Sequence, residues 1–303
     1  MKVNNTLILG GTGFIGSALT KILKNENHYL HLTVRDGKYS DEPNIKHHNI
    51  SIKAVDALAD LIENEDISTI IHCASNLIPS SQFVDFYAEN ENLILPTISL
   101  LDKIKNKEIL YVYFSSGGVI YGNHANIPTN ETAPLNPLSY YGLSKKIIEG
   151  YLHFYSSNFK INHLIIRPSN PYGSDQHKDG VQGFIATVLH KIINGMPIEI
   201  WGDGSIIRDY ITIDDLAWAT KELINKRVQN ETFNIGSGDG HSLLDVINVI
   251  SNITSLTPNL TFSSARNIDV KTVILDIKKL QGEINFIATP LVDGIRNFYQ
   301  KIS

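Results

Sequence analysis

Seven residues near the start of the chain, Gly10-Gly11-Thr12-Gly13-Phe14-Ile15-Gly16, restrict the available folds more than any other segment. They follow Thr6-Leu7-Ile8-Leu9, an apolar run that reads as a buried strand. They also open a stretch to Leu23 in which Phe14, Ile15, Ala18, Leu19, Ile22 and Leu23 recur at helical spacing. The segment fits both G-x-G-x-x-G and G-x-x-G-x-x-G. Between a strand and a helix, such glycines accept positive φ, let the backbone approach a pyrophosphate, and let strand and helix pack closely. The helix N-terminus adds unpaired N–H groups for phosphate oxygens. Gly10, Gly13, Phe14, Ile15 and Gly16 are therefore candidate dinucleotide-binding residues.

The chain beyond the turn keeps the same rhythm. Leu30–Val34, Ser68–Ala74, Ile109–Phe114 and Leu164–Ile166 read as strands, and residues 56–64, 92–104 and 141–155 read as helices. Pro96 is expected in the first turn of its helix, where a missing N–H does least harm. Strands alternating with helices predict an α/β fold, a Rossmann-type doubly wound parallel sheet covered on both faces. After Arg167-Pro168 a Pro-, Gly- and Asn-rich stretch begins, and the pattern becomes less regular. Residues 184–194 and 240–252 read as helices and 198–201 as a strand. We expect a dinucleotide-binding domain over 1–169 and a smaller mixed α/β substrate-binding region over 170–303. The boundary is soft, since part of 205–240, Phe233–Ile235 in particular, could rejoin the large sheet.

Composition serves mainly to exclude. Lys and Arg number 26 against 31 Asp and Glu, a net charge of −5 that disfavours a nucleic-acid partner. No apolar run approaches the ~18 residues of a membrane span. The single cysteine, Cys73, excludes an intramolecular disulfide framework and reads as packing within an apolar strand. His47-His48 and His177 lack metal-ligand spacing, so no metal is expected. Met1–Asn5 leads straight into a strand, and a cytoplasmic location is the expectation.

Two further places carry chemistry. About 20 residues past Gly16, where an acidic side chain would bind adenosine ribose hydroxyls, stand both Asp36 and Arg35. A carboxylate there favours NAD and a guanidinium NADP, and the one-residue register leaves both open. Downstream, Tyr141-Gly142-Leu143-Ser144-Lys145 places a phenol and an ammonium at i, i+4 on one helical face. A nearby cation favours phenolate, so Tyr141 could exchange a hydroxyl proton with a substrate.

These segments, with His72-Cys73-Ala74-Ser75, Asn92, Ser115–Gly122, Arg167–Gly173, Ile200–Gly204, Arg208-Asp209-Tyr210, Asp214-Asp215, Arg266 and Asp269, resemble the extended short-chain dehydrogenase/reductases. Within them the likeness is to the NAD-dependent epimerase/dehydratase group, most of all the UDP-hexose 4-epimerases, and it spans nearly the whole chain. The resemblance implies that Asp56 and Ala57 contact adenine and that Ala74 and Ser75 line the cofactor channel. Asn92 joins the implied cofactor set, and Lys145 binds the nicotinamide ribose. Asn170 would touch sugar or diphosphate, and Arg208 and Arg266 would clamp the diphosphate, which suits guanidinium forks. A homodimer formed through helices 92–104 and 144–157 is also implied, although both helices could pack only on their own sheet.

The family pattern is broken in one place. Members usually carry Ser or Thr four residues before the tyrosine that corresponds to Tyr121, and this chain has Gly117. Ser116 is the candidate replacement as a catalytic and substrate-binding hydroxyl, with Ser115 or a water as alternatives. Gly118 and Val119 stand where dehydratases carry Asp-Glu, and neither can move a proton, which argues against dehydration. Val273, seven positions after Arg266, occupies a size-selecting position. A small residue there admits N-acetylhexosamines, unless it is ordinary strand packing. The leading expectation is a UDP-glucose/UDP-galactose or UDP-N-acetylhexosamine 4-epimerase. The alternatives are an NADPH-dependent reductase of an NDP-4-keto-6-deoxysugar, favoured by Arg35, and a non-catalytic cofactor-binding paralogue.

Overall fold

The structure is a computed structural model that describes residues 4–24, 28–34, 42–123, 126–174, 176, 183–264 and 270–302. In chain order the elements begin with β1 (Asn4–Leu9), α1 (Phe14–Leu23), β2 (His28–Thr33), β3 (Ile45–His48), α2 (Val55–Asn64) and β4 (Thr69–His72). There follow α3 (Phe83–Glu89), a π-helical turn (Asn90–Ile94), α4 (Leu95–Ile104), β5 (Ile109–Phe114), α5 (Tyr140–Asn158) and β6 (Ile161–Pro168). The remainder is β7 (Asn170–Tyr172), α6 (Phe184–Ile193), β8 (Pro197–Trp201), β9 (Ile207–Thr212), α7 (Ile213–Asn225) and β10 (Glu231–Ile235). Last come β11 (Gly240–Ser242), α8 (Leu243–Thr254), β12 (Asn259–Ser263), β13 (Thr272–Val273), α9 (Lys278–Ile284) and α10 (Leu291–Ile302).

The chain divides into two units that interleave rather than meeting at a single boundary near 169. One holds residues 1–116, 137–167 and 217–233; the other holds 117–136, 168–216 and 234–303. Among the described residues the first carries a seven-stranded sheet in the order β10-β6-β5-β4-β1-β2-β3. This is the Rossmann-like α/β architecture, with its order reversing beside β1. The register aligns Leu9 with His72, His72 with Tyr113, and Phe114 with Ile166. The glycine turn after β1, Ala74-Ser75 after β4 and Ser115-Ser116 after β5 thus leave the sheet at its C-terminal edge. Beneath, Leu7, Ile70 and Tyr111 pack with Leu58 of α2, Leu100 of α4 and Leu152 of α5 in a dry core.

The helix expected over 92–104 starts earlier, at Phe83, and contains the π-helical turn. The Leu95 N–H reaches back to the Asn90 carbonyl, and Pro96, which has no N–H to donate, stands in the first turn of α4. The helix expected over 240–252 is also corrected. Gly240–Ser242 pairs antiparallel with β9, and α8 begins only after Ser242. Its Oγ accepts from Asp245 N at 3.0 Å while Asp245 Oδ2 accepts from Ser242 N at 2.9 Å, a reciprocal cap that fixes the start.

In the second unit β9 is the hub, paired with β11, β13 and, at its far end, β7, while β8 pairs with β12. Helices α6, α8 and α10 close an apolar cluster that includes Leu189, Ile247, Ile295 and Phe298.

One buried ion pair ties α5 to the large sheet. Arg167 of β6 donates through Nε and Nη2 to the Glu149 carboxylate at 3.1 and 2.7 Å, with both side chains almost fully buried. Removing one partner strands a charge, whereas removing both does not. Arg167→Met alone is expected to lower stability by about 3–5 kcal/mol, and the Glu149→Met/Arg167→Met pair to recover most of it. Urea denaturation of the three proteins checks this; equal losses in single and double variants would contradict it.

Candidate active site

The glycine turn has the shape its spacing predicts. Gly10 has φ +83°, and a Cβ at Gly16 would lie 2.2 Å from the Gly10 carbonyl oxygen, so neither position tolerates a side chain. Gly13 N donates to Gly10 O at 3.0 Å, and Gly13 precedes α1 with no side-chain cap. Phe14 and Ile15 form the first turn of that helix, which contains no acidic residue. This is a bare helix N-terminus presenting backbone N–H groups, and it fits the pyrophosphate of a dinucleotide. Cys73 N donates to Leu9 O at 3.0 Å, which draws Ala74 against Gly10.

Helix α5 is positioned by Ser139, whose Oγ accepts from Gly142 N at 3.1 Å and starts the helix at Tyr140. Tyr141 then falls in the first turn and Lys145 one turn later. Lys145 is 4% exposed. Its Nζ donates to Phe114 O at 3.0 Å and lies 5.4 Å from the Tyr141 ring centre and 5.2 Å from that of Tyr113. The Ser116 side chain acts on the Tyr141 phenol and favours its ionised form. The structure therefore brings Ser116, Tyr141 and Lys145 together. Ser115 is buried with no partner for its hydroxyl among the described residues, and Gly117 is pinned through its N–H to Pro168 O at 2.8 Å. Tyr121 donates to Asn234 Oδ1 at 2.7 Å inside the second unit.

Burial dominates the electrostatics. It pushes the Tyr141 phenol up to about 12, opposed by Ser116 and reinforced by the Glu89 carboxylate. Burial also lowers the Lys145 ammonium to about 8, with Glu89 the largest opposing influence. The Cys73 thiol is pushed up by burial, as suits an unreactive packing group.

Other expected residues are placed differently. Asp56, in the first turn of α2, is 85% exposed at its side chain and pairs with Lys103 of α4 at 2.7 Å. Ala57 beside it is exposed. That is a solvated ion pair on the α2–α4 surface. Asn92 lies within the π-helical turn, its Oδ1 accepting from Lys53 Nζ and its Nδ2 donating to Ala88 O. In the second unit Asn170 Nδ2 donates to Asp209 O at 2.8 Å, and Arg208 Nη1 to Ile207 O at 2.9 Å. Val273 is the register partner of Arg208 across β13 and β9, and is buried. Arg35, Asp36, Arg266, Asp269 and His177 lie outside the described residues.

Glu89 was not singled out by motif. It is 2% exposed at the end of α3 and accepts from Asn76 N, Asn76 Nδ2 and Ser75 Oγ. The available signal was a carboxylate on the apolar stripe formed by Phe86 and Leu93.

The glycine turn, the sheet order and the tyrosine–lysine pair define a dinucleotide-dependent enzyme of the short-chain dehydrogenase/reductase type. The NAD-dependent epimerase/dehydratase family model matches residues 6–236, and the chain belongs to that family. It is 31% identical over 280 residues to a Methanocaldococcus jannaschii protein provisionally named UDP-glucose 4-epimerase, covering 91% of each. It is 30% identical to an Escherichia coli dTDP-4-dehydro-6-deoxyglucose reductase, covering 99% of this chain and 98% of the relative. The crystal structure of Thermotoga maritima UDP-glucose 4-epimerase with UDP-glucose aligns over 98% of both chains, with a TM-score of 0.91 and 25% identity.

The Lys145 environment sets a pH dependence. Folded Lys145 releases its proton near pH 8, whereas an unfolded lysine holds it to about 10.4. Between these values the unfolded chain binds more protons, so this group makes stability rise with pH across that window. Below it, the cost of burying the cation is fully present. Tyr141 acts in the opposite sense, and only above about pH 10. Lys145→Met is expected to lose the rise that the parent shows. Chemical denaturation of both proteins across pH in the absence of nucleotide reads this, and parallel profiles would contradict the assignment.

Proposed function

We infer that the protein is a nucleotide-sugar 4-epimerase acting on UDP-hexoses. The observation that carries this reading is the buried Lys145 ammonium, held on the Phe114 carbonyl at 3.0 Å with its Nζ 5.4 Å from the Tyr141 ring centre. Gly117 lacks the customary hydroxyl, and the neighbouring Ser116 would supply another. Tyr141, assisted by Ser116, would accept the proton of the sugar C4 hydroxyl and later return it. Lys145 would orient the nicotinamide ribose and favour the phenolate through its charge. NAD, when bound, supplies reversible hydride transfer at C4. Gly10, Gly13 and Gly16 would let the backbone meet its pyrophosphate, with Ala74 and Ser75 along the channel. Arg208 and Arg266 would hold the substrate diphosphate, with Asn170 touching sugar or diphosphate. Val273 favours admission of N-acetylhexosamines as well as hexoses.

The test is equilibration of UDP-glucose with UDP-galactose, and of the N-acetyl pair, without added cofactor. Tyr141→Phe is expected to lose about 10²–10⁴ in kcat. Ser116→Ala should lose about a hundredfold, and Ser115→Ala should stay close to the parent. No interconversion of either pair by cofactor-replete protein would end the epimerase reading. The Escherichia coli relative supports a second reading, reduction of an NDP-4-keto-6-deoxysugar with the same Tyr141 and Lys145. Stoichiometric NADPH oxidation with such a substrate would select it.

The active form is read as a homodimer in the cytoplasm. Phe83, Val84, Tyr87 and Leu95 stand exposed along the α3–α4 run, as do Leu143, Tyr151 and Phe154 on α5, an apolar surface suited to a second copy. Sedimentation is expected to give a dimer, and Val84→Glu with Phe154→Glu a monomer. A monomeric parent protein would refute the dimer.

A further inference from the structure

Glu89 is a buried carboxylate whose hydrogen bonds among the described residues come from neutral groups. Its Oε1 accepts from Asn76 N at 3.2 Å and Ser75 Oγ at 3.4 Å, and its Oε2 from Asn76 Nδ2 at 3.0 Å. Two contacts place it. Phe86 of α3 stacks on Tyr140 at 5.3 Å, and Phe83 meets the same ring at 6.0 Å, which sets α3 against the first turn of α5. Glu89 stands one turn beyond Phe86. From there its charge raises the proton affinity of Lys145, Tyr141 and Tyr113 alike. Glu149, the other carboxylate whose charge acts on Lys145, is spent on Arg167.

We propose that Glu89 is the counter-charge to the buried Lys145 ammonium and gives this chamber a preference for the oxidised, cationic nicotinamide over the reduced, neutral one. The proposal rests on the cofactor reading above. Without Glu89 the ammonium would meet a second positive charge when the oxidised form binds, in surroundings that screen poorly. With Glu89 the chamber is near neutral beforehand. The reduced ring carries no charge and is indifferent to the difference. An epimerase gains from this arrangement, because its resting state must hold the oxidised form.

The experiment is titration of nucleotide-free protein with NAD⁺ and separately with NADH, for the parent, Glu89→Gln and Glu89→Asp. Glu89→Gln is expected to weaken NAD⁺ on the order of tenfold while leaving NADH nearly unchanged. Glu89→Asp, which keeps the charge, should retain the parent ratio. If Glu89→Gln fails to fold because the ammonium is stranded, the comparison moves to a Lys145→Met background. Lys145→Met should then favour NAD⁺ over NADH more than Lys145→Met/Glu89→Gln does, by a similar factor. A ratio unchanged on loss of the carboxylate, or equal weakening of both forms, would overturn the proposal and leave Glu89 a purely structural group. A parent protein that binds neither form would instead remove the cofactor reading, and the proposal with it.

Discussion

Burying the Lys145 ammonium carries a desolvation cost that the surrounding chain must offset, and much of the first unit is arranged to do so. The Phe114 carbonyl at the end of β5 takes one of its hydrogen bonds, and the faces of Tyr113 and Tyr141 flank it. Glu89 supplies opposite charge from α3. These partners come from separate elements, so the ammonium is tolerated only when β5, α3 and α5 are all in place. The Glu149–Arg167 pair makes the same demand one turn further along α5, joining it to β6. The side chains that the reaction requires are thus held by groups that folding also requires. This explains how a flexible lysine can be fixed to one geometry beside a phenol.

The glycine turn achieves close approach by the opposite means, through omission of side chains. Gly10 is pressed by Ala74, and Gly16 lies against the Gly10 carbonyl, so β1, β4 and the start of α1 come together with nothing between them. Register carries this closeness across the sheet. Leu9 pairs with His72, and His72 with Tyr113. A bare helix N-terminus and a charged dyad consequently share one edge of the same sheet. The two features lie more than a hundred residues apart in the chain, and parallel pairing converts that separation into adjacency.

The parts legible in the sequence are those whose chemistry is local. The Gly10–Gly16 turn, the i, i+4 relation of Tyr141 to Lys145 and the strand–helix alternation each need only neighbouring residues to be recognised. Ser116 is a candidate because Gly117 lacks a hydroxyl, and among its neighbours Ser115 is buried with no partner for its hydroxyl among the described residues. What escaped depends on contacts distant in sequence. The pairing of Asp56 with Lys103 is supplied by packing of α2 on α4. Glu89 belongs to no motif, and its place depends on packing distant in sequence, Phe86 of α3 on Tyr140 of α5. The π-helical turn was hidden for a related reason, since one residue of extra backbone leaves no compositional mark. The interleaving of the units followed from the return of residues 117–136 to the second unit, which a single linear boundary could not express.

Two buried carboxylates show how donor chemistry separates structural from electrostatic roles. Asp209 in the second unit accepts from Ser237 N and Oγ, Gly238 N and Leu275 N. Burial raises its proton affinity, and those donors oppose the rise. Such a group knots the 237–238 turn and the start of the 275–277 segment onto β9, and its charge is consumed locally. It fixes the strand that carries Arg208 and pairs with Val273. Glu89 accepts from one backbone N–H and two side chains, and its field extends to Lys145 and Tyr141. A carboxylate saturated by backbone donors specifies geometry, whereas one held loosely beside titrating groups sets their charge balance. Asp209 and Glu89 divide these tasks between the two units: one carboxylate orders the candidate diphosphate strand, and the other sets the field around the proton-transfer pair.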